Sequence, residues 1–249
     1  MDLLESRFAA AKLACAVTAQ PIERARAGES VDVVQIDIAR VRKLEEFRVW
    51  RGAAGNRVEV TAIDRALRQL VLLVWEPERA FHVTVARNFA PQPRGKIVSE
   101  DKYRRVIEQF TVSRRRHFLC GMDESHLFIA QLPRPVPTVA DARRALRPTE
   151  IAPETKRQGE WFFVEPTAED LAEIDRALVR ERMGIAAGGG LVRAGRQHVA
   201  AEFCTARGRI FVRGAIRHPD HRTVRFRHWM RAVPNTEAFE QPAGVRWVD

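Results

Sequence analysis

The chain has 249 residues, enough for one large domain or two small ones, each with its own core. Its 45% apolar and 30% charged side chains are those of a globular protein and exclude a fibrous or wholly disordered class. With 42 Lys and Arg against 32 Asp and Glu, the net charge of +10 favours an anionic partner: nucleic acid, an acidic protein or an anionic membrane.

Arginine supplies nearly all of the positive charge, and its planar fork suits phosphate better than the point charge of lysine. Cys15, Cys120 and Cys204 are odd in number and far apart, so no disulfide framework is implied and a reducing, cytoplasmic setting is expected. The N-terminal stretch is acidic at its start and interrupted by Arg7 and Lys12, the pattern of neither a secretory signal nor a membrane span. No membrane association is expected.

Taken in order, Leu3, Leu4, Phe8, Leu13 and Val17 among alanines predict an amphipathic helix that Pro21 ends. Residues 31–38 alternate and predict a strand. A four-stranded antiparallel meander is expected over 47–51, 57–64, 69–76 and 79–87, from its Val and Ile enrichment and the turn residues between runs. Residues 89–97 hold two prolines and a glycine and read as a linker, which continues through a strongly basic stretch containing Arg114, Arg115 and Arg116.

Residues 117–132 predict a hairpin with its tip at 121–125. Pro133, Pro135 and Pro137 then give an extended connector, and Thr138 with Asp141 caps a short helix that Pro148 stops. Residues 160–164 (EWFFV) predict a central strand, with Glu160 and the aromatic run after it read as core rather than site. Thr167 caps a longer helix to Met183, with Leu171, Ile174 and Leu178 on one face. Gly188–Gly190 predicts a flexible loop, 198–205 a strand, and the tail after Pro234 an irregular segment pinned by Trp247. Without regular βα alternation, the order predicts an α+β fold, antiparallel and β-rich. Three parts are expected: an N-terminal helix and meander (1–90), a basic linker (91–116) and an α+β domain ending in a basic hairpin (117–249).

That hairpin, residues 208–229, carries the strongest functional pattern. Its period-two alternation sets Ile210, Val212, Gly214 and Ile216 on one face and Arg209, Phe211, Arg213 and Arg217 on the other. In the returning strand Val224 and Phe226 oppose Arg225, Arg227 and Trp229. A slip of one residue exchanges faces, so the expected register pairs Ile216 with Val224 and Gly214 with Phe226, through an odd-length loop with a bulge after Pro219. The same register sets Arg213 beside Arg227 and Phe211 beside Trp229. An open arginine–aromatic face can stack bases on its rings and hold phosphates with its guanidinium groups.

The histidines suggest a different chemistry. His218, Asp220 and His221 surround the turn and could bind a divalent metal, with His198, Glu202 and Cys204 on the preceding strand as further donors if that strand pairs beside the hairpin. Without a metal, His198 and Glu202 could act as an acid–base pair. His117, Cys120 and His126 imitate half of a zinc knuckle and lack its second half; the Gly188–Gly190 run has no following GK[ST] and is no phosphate loop.

The leading expectation is a nucleic-acid-binding protein, a subunit or accessory factor of a larger assembly with protein partners. The alternative is a nuclease or other phosphodiester hydrolase, with a divalent metal as its cofactor. A purely structural adaptor for an acidic partner is the third reading.

Overall fold

The computed structural model describes residues 2–22, 33–41, 44–88, 94–180, 186–187, 190–192, 197–238 and 246–248. In chain order these form α1 (Leu3–Ala10), β1 (Cys15–Val17), β2 (Gln35–Val41), β3 (Leu44–Trp50), β4 (Arg57–Asp64), β5 (Gln69–Glu76) and β6 (Ala80–Ala86). There follow β7 (Lys96–Glu100), β8 (Arg104–Phe110), β9 (Arg114–Asp123), β10 (His126–Gln131), α2 (Val139–Ala145), β11 (Arg157–Gln158), β12 (Trp161–Val164) and α3 (Ala168–Arg180). The last elements are β13 (Ala186–Ala187), β14 (Gly190–Leu191), β15 (His198–Ala206), β16 (Arg209–His218), β17 (His221–Pro234) and β18 (Arg246–Val248). The fold is α+β, dominated by antiparallel sheets with few helices. No helix among the described residues is long and apolar enough to cross a membrane.

The expected meander divides among three sheets. Only β4 and β5 pair with each other; β3 joins β1, β2 and β18, while β6 joins β8 and β7. The reason lies in β5 (QLVLLVWE), which is buried on both faces. Leu70, Leu72 and Val74 pack with Phe8, Phe47 and Phe118 on one side, and Val71 packs with Leu119, Ala142 and Leu146 on the other. A strand apolar on both faces occupies the middle of a sheet, and β5 finds its second neighbour in β9 along eight positions. Hydrogen bonds therefore join residues on either side of the 91–116 stretch. That stretch itself carries β7, β8 and the first residues of β9.

Two terminal expectations change. The first helix stops at Ala10 rather than continuing to Val17: Lys12 adopts a positive φ of 59° and Cys15–Val17 runs parallel to β3. At the other end the tail forms β18, which pairs in parallel with β2, Trp247 opposite Ile36. The capped helix after Thr138 is α2, whose first turn is held by the Asp141 N–H donating to Thr138 Oγ1. Gly188, Gly189 and residues 181–183 lie outside the described residues, as do 31–32 of the predicted early strand.

The C-terminal sheet has the order β11-β12-β17-β16-β15-β13, with β14 also on β15. It is creased along one line. Ala201 of β15 faces two residues of β16, and Arg213 of β16 faces three of β17, so each strand across the crease is longer than the last. Successive bulges of this kind coil a sheet strongly. Gly214 sits on the crease with φ +82°, and a Cβ there would come within 2.9 Å of Ala201 Cβ. The coil brings the β11–β12 end back over the β16–β17 tip, where Gln158 Nε2 donates to Ile216 O at 3.2 Å and Arg222 O at 2.7 Å.

Helix α3 covers one face of this sheet. Ile174, Ala177 and Leu178 pack on Cys204, Phe211 and Trp229, whereas Leu171 of the predicted stripe is exposed. A reciprocal cap fixes its start: the Thr167 N–H donates to Asp170 Oδ2 and the Asp170 N–H to Thr167 Oγ1, both at 3.1 Å. Arg209 Nη1 lies 2.6 Å from Asp170 Oδ1, tying helix to sheet. Asp170→Ala is expected to lower stability by about 1–3 kcal/mol, from the lost cap and the orphaned Arg209. The urea midpoint measures this; an unchanged midpoint contradicts it.

Candidate metal centre

Register alone gathers three histidines. Near the tip β16 and β17 pair Ile216 with Val224 and Gly214 with Phe226, as predicted, but through a two-residue turn, His218 opposite His221, with the bulge on the returning strand. In β15, Val199 opposes Arg217, which sets His198 at the position beside His218. His198, His218 and His221 thus occupy neighbouring positions on three adjacent strands at one end of the sheet. Cross-strand neighbours lie about 5 Å apart, and the rings follow that spacing. Their centroids are 4.2 Å apart for His198–His218, 4.7 Å for His218–His221 and 5.6 Å for His198–His221.

One ligand nitrogen from each ring lies within 4.8 Å of the other two. Ligands at about 2.0–2.1 Å around a tetrahedral ion stand roughly 3.4 Å apart. Closing on an ion therefore takes a contraction on the order of 1 Å, which falls to His218 and His221, the half-buried rings. His198 is 1% exposed, and neither of its ring nitrogens has a hydrogen-bond partner. A buried polar group left unpaired costs free energy, and a metal at one nitrogen would supply the missing partner.

The electrostatics suit that donor set. Burial, then the charges of His218 and His221, push the His198 pKa down to about 3. Burial and His218 also lower His221, with Asp123, Glu124 and Asp220 partly opposing them. Both rings are therefore neutral at pH 7, the form that binds metals. His218 Nδ1 accepts the Asp220 backbone N–H at 3.1 Å, a bond that must break when the neutral ring becomes a ligand, whether through Nδ1 itself or through Nε2 with the proton moved to Nδ1.

Asp220 is not in this ligand group. Its carboxylate bonds Arg40 Nη2 at 2.8 Å, and although burial raises its pKa, the Arg40 hydrogen bond and charge leave it lowered. Glu202 is no partner of His198: it forms a bidentate ion pair with Arg213, with Arg213 Nε 2.9 Å from Oε1. The carboxylate beside His198 is Glu160, with Oε1 at 3.8 Å from Nδ1. His228 is exposed and outside the cluster. His117, Cys120 and His126 form no ligand group; Cys120 is buried in the core and His126 bonds Glu45 at 3.0 Å.

The predicted arginine–aromatic face is largely closed. Phe211 and Trp229 do share a face, but it is the face beneath α3, and both rings are buried. The crease also sets Phe211 opposite Arg231 rather than Trp229, and bulges the residues expected to pair Arg213 with Arg227. Arg213 is held by Glu202 and lies over the Trp229 ring at 4.7 Å, and Arg209 is held by Asp170. In the other basic run Arg116 is buried in an ion pair with Glu76, whereas Arg114 is half-buried and Arg115 exposed. Arg217, Arg225 and Arg227 are exposed, and no carboxylate among the described residues pairs with them.

Gly159 was not singled out in the sequence and Glu160 was read as core rather than site; both lie far from the hairpin in the chain. Gly159 has φ +56°, and a Cβ there would stand 2.7 Å from His221 Nε2 and 3.0 Å from His198 Nε2. No local signal marks the pair; only the coil of the sheet brings them to the histidines.

No family model, curated protein or solved structure matches the chain.

A histidine whose folded pKa lies below its unfolded value of about 6.5 takes up its proton more readily in the unfolded chain. Its contribution is complete above that pH and is lost as the pH falls towards about 3. In chelator, acidification from pH 7 to 4 is expected to lower the melting temperature, and His198→Gln to flatten that slope. An equal slope in wild type and variant contradicts the shift.

Proposed function

We propose that the protein is a metal-dependent phosphodiester hydrolase whose ion is held by His198, His218 and His221. The observation that carries this is the convergence of three imidazoles on one point, one of them buried with both nitrogens unpartnered. Three imidazoles suit zinc and its neighbours in the first transition row better than magnesium or calcium, which take oxygen donors. The residues fit such an ion: His198 and His221 are neutral donors, and Gly159 leaves clear the space that a side chain would fill. Bound there, an ion supplies a Lewis acid for a phosphoryl oxygen and lowers the pKa of a water in its open position.

The surrounding residues favour an anionic substrate. Arg217 precedes His218, and with Arg225 and Arg227 it is exposed on the hairpin that carries the site. Exposed guanidinium groups attract a phosphate chain to this hairpin and hold its oxygens. Glu202 takes no part in this reading.

These three arginines also support a second reading, in which the protein grips nucleic acid by its backbone, as one component of an assembly with protein partners. The proposal places it in the cytoplasm, which suits the three free thiols Cys15, Cys120 and Cys204.

Calorimetric titration with Zn(II) and Co(II) separates the readings. Wild type is expected to bind one equivalent, and His218→Ala and His221→Ala each to lose more than the roughly 10–100-fold typical of an outer-shell change. Labelled RNA or DNA is expected to be cut only with the ion present. No binding of either ion overturns the metal site; binding without cleavage overturns the hydrolase. Replacing Arg217, Arg225 and Arg227 by Ala is expected to reduce the salt slope of single-strand binding by about 2 log units per log unit of salt. An unchanged slope contradicts a phosphate role for the three.

A further inference from the structure

We infer that Glu160 is the positioning carboxylate of the tri-histidine centre, and that Gly159 beside it is the clearance that lets His198 and His221 share an ion. This inference rests on the metal reading above and adds two residues and a tautomer to it.

The β11–β12 turn presents the two residues to opposite nitrogens of one ring. On one side, Glu160 Oε1 stands 3.8 Å from His198 Nδ1, held by Trp161 Nε1, which donates to the same oxygen at 3.0 Å. On the other side, Gly159 faces the Nε2 atoms of both His198 and His221, where a methyl group would stand between them. Ligating histidines usually donate their second ring N–H to a carboxylate or carbonyl, which fixes the tautomer and raises ligand basicity. Among the described residues, Glu160 is the carboxylate paired with His198. A ring shift of under about 1 Å brings Nδ1–H to Glu160 within the usual hydrogen-bond length and turns the Nε2 lone pair towards His221.

The turn is anchored well enough to act in this way. Gln158 donates to Ile216 O and Arg222 O, one bond to each strand of the hairpin, and Arg157 Nη1 donates to Gly159 O at 2.9 Å. Arg157 Nη2 also lies 2.8 Å from Asp123 Oδ2 at the end of β9. The positive φ of Gly159 makes any side chain there strained as well as obstructive.

Cobalt(II) titration followed by visible absorption, with ¹⁵N NMR of the imidazoles in the zinc-loaded protein, tests this. In wild type the His198 Nδ1 resonance is expected to be that of a protonated nitrogen. Glu160→Gln is expected to weaken cobalt binding by about 10–100-fold and to shift the His198 Nδ1 resonance, with the metal-free melting temperature unchanged. Gly159→Ala is expected to abolish binding, and its metal-free melting curve reports whether it still folds. Wild-type affinity and an unmoved resonance in Glu160→Gln overturn this inference alone. Failure of the wild type to bind cobalt or zinc overturns the metal reading, and this inference with it.

Discussion

The crease in the C-terminal sheet is the constraint on which the site depends. Without the extra residues that β16 and β17 insert opposite Ala201 and Arg213, the sheet would twist gently and leave β11 far from the hairpin tip. With them the sheet coils until Gln158 bonds both strands of that hairpin. The histidines would still lie in a row on three strands if the sheet were flat. Only the coil adds Gly159 and Glu160 and removes His198 from water.

Burial then sets the chemistry. Three imidazoles crowded together cannot all be charged, and the low dielectric around His198 pushes it towards neutrality more strongly than its neighbours do. His198 and His221 thus present neutral imidazoles at neutral pH, with Glu160 the carboxylate beside His198. Asp220 is taken by Arg40, and Glu202 by Arg213. The same ion pairs decide which part of the basic hairpin remains available. Near α3 the arginines brace the fold, whereas Arg217, Arg225 and Arg227 are left exposed.

Much of the local structure was legible in the sequence, because alternation and caps are local. The runs that became β4, β5, β12, β15 and β16, the Thr138 cap and the tip register of the hairpin follow from period and turn residues. Partnership was not legible. β5 pairs with β9 across a gap filled by another sheet, and nothing within QLVLLVWE names its neighbour. The aromatic face of the hairpin was assigned correctly as a face, but what covers it is the apolar stripe of α3, a contact set by packing rather than by pattern. The histidines were visible as candidates, and only the β15–β16 register brings His198 to the other two. Gly159 left no trace, and Glu160 read as core because a glutamate before an apolar strand is ordinary.

X-ray absorption at the zinc edge of the zinc-loaded protein is the most direct test of the central claim, that three imidazoles converge on one ion. The account predicts about three histidine nitrogens at roughly 2.0–2.1 Å, with the outer-shell scattering of imidazole rings falling to two rings in His218→Ala. An ion surrounded by oxygen donors, or a spectrum that His218→Ala leaves unchanged, would contradict it.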